Sequence, residues 1–156
     1  MWQKPQRQLG RPRQEAGVPC LPDVAPALLN APPVGRRILI LEDEPLLTKH
    51  LRRLLAARGY DVHVADTVGA FLADARRQRF DALLLDLSLP DGDGLSAWAE
   101  ARSAQEGAVA VMMTAYRSPE VARRAQDLGV RALLPKPLEV PLLLAALGAE
   151  TPIPRV

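Results

Sequence analysis

Four polar signatures, each directly after an apolar run, carry the chemistry legible in this chain. Glu42 and Asp43 follow Ile38-Leu39-Ile40-Leu41, and Asp86 follows Leu83-Leu84-Leu85. Thr114 follows Val109-Ala110-Val111-Met112-Met113, and Lys136 follows Leu133-Leu134-Pro135. Adjacent acids repel each other unless a proton or cation intervenes, so Glu42 and Asp43 beside Asp86 would form a site for a divalent metal. With no Cys or His at those positions, oxygen-only ligation suits Mg2+ or Mn2+ better than zinc. The expected cofactor is Mg2+, held by Asp43, Asp86 and the backbone carbonyl of Ser88, with Glu42 acting largely through water because Mg2+ keeps several waters. A carboxylate at such a metal, with an amine and a hydroxyl nearby, is arranged to attack a phosphoryl group and become an acyl phosphate. Lys136 can neutralise charge on that group and Thr114 can hydrogen-bond one of its oxygens.

Residues almost a hundred positions apart can share one site only if the fold gathers them. A parallel sheet does this, because its chemistry collects at the carboxyl ends of the strands. Residues 38–41 form a continuous apolar run of the kind buried on both faces. Pro45 suits the first turn of a helix with Leu47, Leu51, Leu54 and Leu55 on one side, which Gly59 ends. Strands are expected at 61–65, 81–85, 108–113 and 131–134. The intervening helices are read from Val68, Phe71, Leu72 and Ala75, then from Leu95, Trp98 and Arg102 over 95 to about 104, then from Val121, Ala122, Ala125 and Leu128. Val140, Leu143, Leu144 and Leu147 mark the last helix. Five strands alternating with five helices predict an α/β fold: a doubly wound parallel sheet in a three-layer sandwich.

The chain of 156 residues has room for one such domain. Seven of its fifteen prolines fall in the first 36 residues, together with five bases against two acids. Residues 1–35 therefore read as a Pro-rich, mildly basic, disordered arm, with one apolar cluster at 24–29. The domain is expected over 36–149 and a short tail over 150–156. Residues 1–36 carry a net +3 and residues 37–156 a net −1, so the basic excess lies outside the domain and no direct nucleic-acid binding is expected. No apolar run reaches the ~20 residues of a membrane span, and residues 1–9 lack the apolar core of a secretory signal, so a cytoplasmic location is expected. The lone Cys20 has no partner for a disulfide or a metal. Asp91-Gly92-Asp93-Gly94 reads as a turn, since the full spacing and closing glutamate of a calcium loop are missing. His50 and His63 stand apart, and Arg76, Arg77 and Arg79 form a solvated helix end.

The run Ile38 to Pro45, the motif Asp86-Leu87-Ser88-Leu89-Pro90-Asp91-Gly92-Asp93-Gly94, Met112-Met113-Thr114-Ala115 and Pro135-Lys136-Pro137 together resemble the receiver domain of bacterial two-component response regulators. The resemblance implies a flavodoxin-like fold with strand order 2-1-3-4-5. It further implies Glu42 and Asp43 as the acidic pair, Asp86 as phosphoacceptor, Thr114 as switch hydroxyl and Lys136 as the active-site lysine, with a cis peptide before Pro137. The partner it implies is a histidine kinase or phosphotransfer protein. The domain would be an autocatalytic phosphoacceptor that loses its phosphate by itself, and not a turnover enzyme on an external substrate.

Only nine residues follow Leu147, so a stand-alone receiver is expected, controlling an unidentified downstream protein by contact. That contact, or a homodimer, would use the face of the fourth helix, fifth strand and fifth helix. Rival readings are a phosphate sink or relay intermediate, a degenerate receiver serving as a constitutive interaction module, and a truncated DNA-binding response regulator. Two departures bear on these. Where the family carries Tyr or Phe three residues before the lysine, this chain has Leu133, which has no ring to swing inward. Tyr116, two residues beyond Thr114, is at a position that influences access of hydrolytic water in the family. Tyr116→Ala is therefore expected to speed loss of phosphate from the phosphorylated protein, and a dephosphorylation rate equal to wild type would count against that role.

Overall fold

The computed structural model describes residues 35–148. The expected arm up to residue 34, its apolar cluster at 24–29, Cys20 and the expected tail all lie outside the described residues. The elements alternate as β1 (Arg37–Leu41), α1 (Pro45–Ala56), β2 (Asp61–Ala65), α2 (Val68–Arg77), β3 (Ala82–Asp86), α3 (Gly94–Ala101), β4 (Val109–Thr114), α4 (Pro119–Asp127), β5 (Ala132–Pro135) and α5 (Val140–Gly148). The strands form one sheet in the order β2-β1-β3-β4-β5, and every neighbouring pair is parallel. The expected fold and strand order are both present.

Period-two alternation along buried strands divides the core between the two faces. Leu39, Leu41, Leu83, Leu85 and Met112 point to the side covered by α2 and α3, where they meet Phe71, Leu95 and Trp98. Ile38, Ile40, Leu84, Val111 and Met113 point to the other side, against Leu51 and Leu55 of α1 and Leu143 and Leu147 of α5. The register aligns the strand ends: Leu41 pairs with Leu85, Asp86 with Met113, and Thr114 with Pro135. Glu42, Asp86, Thr114 and Lys136 therefore emerge along one edge of the sheet.

Two local features differ from expectation. Helix α3 stops at Ala101 and passes into a 3-10 turn at Arg102–Gln105. Arg102 is exposed, and Leu95, Ala97, Trp98 and Ala101 make the buried side. Gln105, by contrast, is only 1% exposed. Its Oε1 accepts from the Phe80 N–H at 2.9 Å, while its Nε2 donates to the carbonyls of Ala75 at 2.7 Å and Gln78 at 2.8 Å. One side chain thus satisfies the C-terminal turn of α2 and the entry to β3, which lack backbone partners at those atoms. Gln105→Ala is expected to leave these groups unpaired and to lower stability by about 2–4 kcal/mol, from ~1–3 kcal/mol for each buried group left without a partner. Urea unfolding of the two proteins would show this, and a midpoint unchanged from wild type would rule out the role.

Candidate functional site

The sheet edge ends in a compact cluster of charge. Among the described residues, Glu42, Asp43 and Asp86 are the carboxylates that converge, each offering an oxygen within 4.8 Å of the others. Lys136 Nζ donates to Glu42 Oε2 at 2.9 Å and to Asp86 Oδ2 at 3.0 Å. Glu42 is 1% exposed and Asp86 6%, whereas Asp43 is exposed to solvent. Burial of the Lys136 amine opposes its charge. The hydrogen bonds and charges of Glu42 and Asp86 outweigh that and hold the ammonium above the ordinary lysine range.

Each side chain is held by its element. Glu42 extends β1 by one residue, its N–H donating to the Ala65 carbonyl at 3.1 Å, and its Oε1 accepts from the Glu44 N–H at 3.0 Å. Asp86 is the last residue of β3, and its Oδ1 accepts from the Ser88 N–H at 3.3 Å. Pro135, Lys136 and Pro137 turn out of β5, with the Lys136–Pro137 peptide cis and the Lys136 N–H donating to the Thr114 carbonyl at 2.8 Å. Thr114 is buried at the end of β4, but its hydroxyl faces its own loop. It donates to the Tyr116 carbonyl at 2.6 Å and accepts from the Tyr116 N–H at 3.0 Å.

The loop from Leu87 to Asp93 closes the site. Ser88 pairs with Asp93 and Leu89 with Gly92 in a short antiparallel ladder. The Leu87 N–H donates to the Met113 carbonyl at 2.9 Å, and the Gly94 N–H to the Leu87 carbonyl at 3.0 Å. A Cβ at residue 94 would run into the Asp86 carbonyl, so only glycine allows α3 to start this close to the strand end. Asp93 caps α3 through the Ser96 N–H at 2.8 Å and accepts from the Ser96 hydroxyl at 2.7 Å. Arg124 of α4 reaches the Ser96 Oγ at 2.7 Å.

The donor set fits a small hard cation. All the side-chain donors are oxygens, and the span of 4.8 Å is only slightly wider than the about 4.2 Å between opposite ligands of an octahedron with 2.1 Å bonds. Glu42 is already committed to Lys136 and to the Glu44 N–H, which favours contact through water. Asp43 is free to bind directly and opens the site to solvent. Ser88 lies beside Asp86, on the loop that a metal at this place would meet.

The structure brings Glu42, Asp43, Asp86 and Lys136 together, sets Ser88 at the rim, and keeps Thr114 adjacent with its hydroxyl engaged elsewhere. Two participants escaped the sequence reading. Asp91 accepts hydrogen bonds from the start of α2, and Arg124 ties α4 to the cap of α3. Their partners are 23 and 28 residues away, beyond the reach of local pattern. The histidines are peripheral: His63 lies edge-on to Phe80 at 5.3 Å between ring centroids, and His50 is exposed on α1. Trp98 is buried as expected, and its indole N–H donates to the Leu128 carbonyl at 2.9 Å.

Comparison with known proteins gives a consistent result. Residues 38–148 match the family described as the response regulator receiver domain. A response regulator receiver protein of Anaeromyxobacter sp. (strain Fw109-5) is 37% identical over 109 residues, which are 70% of this chain and 46% of that protein. The KDP operon transcriptional regulatory protein KdpE of Escherichia coli (strain K12) is 37% identical over 111 residues, 70% of this chain and 48% of its own length. The chain thus spans about half the length of these curated relatives. Among solved structures, a response regulator from Burkholderia pseudomallei with a phosphorylated aspartic acid, calcium ion and citrate superposes with a TM-score of 0.68 at 32% identity, covering 72% of this chain and 66% of that one. A CheY-like receiver domain protein from Methanospirillum hungatei JF-1 gives 0.67 at 31% identity, covering 70% and 87%.

The cap at the loop end has a defined pH dependence. Partial burial raises the Asp93 carboxyl, but hydrogen bonds from Ser96 and Leu95 and the nearby Arg124 charge together hold it below the ordinary carboxylate range. A depressed folded pKa means that its stabilisation is complete above the unfolded value of about 3.9 and is lost as pH falls through the lower folded value. Asp93→Ala is expected to cost about 1 kcal/mol at neutral pH, the usual worth of a helix cap. In unfolding measured across pH, the gap to wild type should close on the acid side of that window; a gap that stays constant into acid would exclude the carboxylate as its source.

Proposed function

The chain belongs to the response regulator receiver domain family of two-component signalling, and from that premise we propose that it accepts a phosphoryl group on Asp86 with Mg2+ bound and changes conformation in response. The observation that carries this reading is the ammonium of Lys136 held at once by Glu42 and Asp86, with Asp43 completing the acidic cluster.

An Asp86 carboxylate oxygen attacks the phosphorus of a phosphohistidine on a histidine kinase or phosphotransfer protein. The N–P bond breaks, the imidazole leaves, and an acyl phosphate forms on Asp86. Asp43, Asp86 and the Ser88 carbonyl would hold Mg2+, with Glu42 acting through water, and the ion supplies neutralisation of charge on the transferring group. Lys136 exchanges its bond to Asp86 for one to a phosphoryl oxygen. Thr114 reaches another only by giving up the Tyr116 carbonyl, which pulls on the β4–α4 connection and couples the site to α4. Water returns the domain to its starting state by hydrolysis of the acyl phosphate, so no external substrate is turned over.

Next to Lys136 lies a cavity of about 590 Å3 between α1 and α5, lined by Leu46, Leu47, Leu51, Leu54, Val140 and Leu143. Leu46 is 76% exposed there, which supports a protein phosphodonor that docks through apolar contact. Output by contact is assigned to the face of α4, β5 and α5, where Leu133 and Ala122 are half-buried and Leu142 is exposed. A downstream protein, a second copy or a joined output domain such as transcriptional regulators carry would meet that same face. Among the described residues no helix is long and apolar enough to cross a membrane, in keeping with a cytoplasmic role. The arm at 1–35 and the tail at 150–156 are assigned outside the receiver.

Leu133 favours one competing reading, a constitutive interaction module without a phosphorylation switch. Intact mass after incubation with acetyl phosphate and Mg2+ separates the two. The proposed function expects one added phosphoryl group, absent in Asp86→Asn and absent when the metal is chelated. Wild-type protein without added mass, even with its donor kinase present, would leave the interaction module standing.

A further inference from the structure

The loop that carries Ser88 is fastened at its far end to a helix that takes no part in the chemistry. The two oxygens of Asp91 accept from the Val68 N–H at 3.1 and 3.0 Å, and Oδ2 also accepts from the Gly69 N–H at 3.5 Å. These are the first amides of α2. That helix already has a local cap, because the Ala70 N–H donates to Thr67 Oγ1 at 3.1 Å. It has no acid in its own first turn, so Asp91 supplies the anion that favours a helix N-terminus. The approach is close as well: a Cβ on Gly92 would stand 3.3 Å from Val68 Cγ2.

We propose that Asp91 is a positioning residue for the metal-binding loop, fixing the Ser88 backbone where a cation held by Asp43 and Asp86, with Glu42 acting through water, requires it. The inference rests on the function proposed above. Its mechanical basis is the short ladder. Asp91 sits at the turn beyond the rung Leu89–Gly92, which is followed by the rung Ser88–Asp93; Ser88 in turn contacts Asp86 Oδ1. Freeing the tip lets both rungs shift, and the Ser88 carbonyl loses its fixed direction. Thr67, on the same helix end but off the loop, has no such lever.

The test is a Mg2+ titration of the full-length protein followed by backbone amide chemical shifts, in wild type, Asp91→Ala, Asp91→Asn and Thr67→Ala, with thermal unfolding of each. Asp91→Ala should raise the Mg2+ Kd about 3- to 10-fold, at or below the ~10- to 100-fold typical of residues that directly orient a metal ligand. Asp91→Asn keeps an acceptor and should restore most of the affinity. Thr67→Ala should lower the unfolding temperature without changing the Kd. A wild-type Kd in Asp91→Ala, or an equal rise in Thr67→Ala, would overturn the inference while leaving the proposed function intact. Absence of any Mg2+ response in wild type would overturn both.

Discussion

Three carboxyl groups and one ammonium share the carboxyl edge of the sheet, and the balance of charge there is the constraint on which the site depends. Lys136 bridges Glu42 and Asp86 at hydrogen-bond distance, and Glu42 is nearly sealed from water. A buried carboxylate is tolerated only when it is paired and hydrogen-bonded, and here the partner comes from the last strand while the acids come from the first and third. The three strand ends must stay in register for the cluster to exist. The continuous apolar runs of β1, β3 and β4, buried on both faces, supply that rigidity.

The same cluster suits the exchange that the proposed function requires. The acids outnumber the local cation, and the exposed Asp43 leaves a way in for a metal. Lys136 is held by contacts that a phosphoryl group can replace, since its donors can turn from a carboxylate to a phosphoryl oxygen with little loss. Thr114 is held by its own loop. Movement of that hydroxyl breaks both of its bonds to the Tyr116 backbone, which makes coupling to the β4–α4 connection available even though Leu133 supplies no aromatic ring.

Around this centre the loop from Leu87 to Gly94 serves as a joint. It is anchored to β4 through the Met113 carbonyl, to α2 through Asp91 and to α4 through the Asp93–Ser96–Arg124 contacts. The exposed ion pair of Arg124 with Asp93, at 3.6 Å, contributes little stability on its own. Its importance is geometric, because it links the cap beside the Asp86 strand to the helix next to the proposed output face.

Much of this protein is determined by its sequence alone. The alternation of apolar strand runs with amphipathic helices, and the polar residue closing each run, specify the sheet, its two-sided core and the membership of Glu42, Asp43, Asp86, Thr114 and Lys136 at one edge, because these are short-range patterns with fixed periods. Tertiary structure decided the partners. Nothing in the sequence pattern singled out Gln105, yet it is buried where three backbone groups from two other segments converge. Asp91 read as a turn former and proved to hold a helix 23 residues away. Arg102, in phase with a buried stripe, is exposed because α3 ends one residue before it. Each depends on which backbone atoms are left unpaired when distant segments pack, and no local period encodes that.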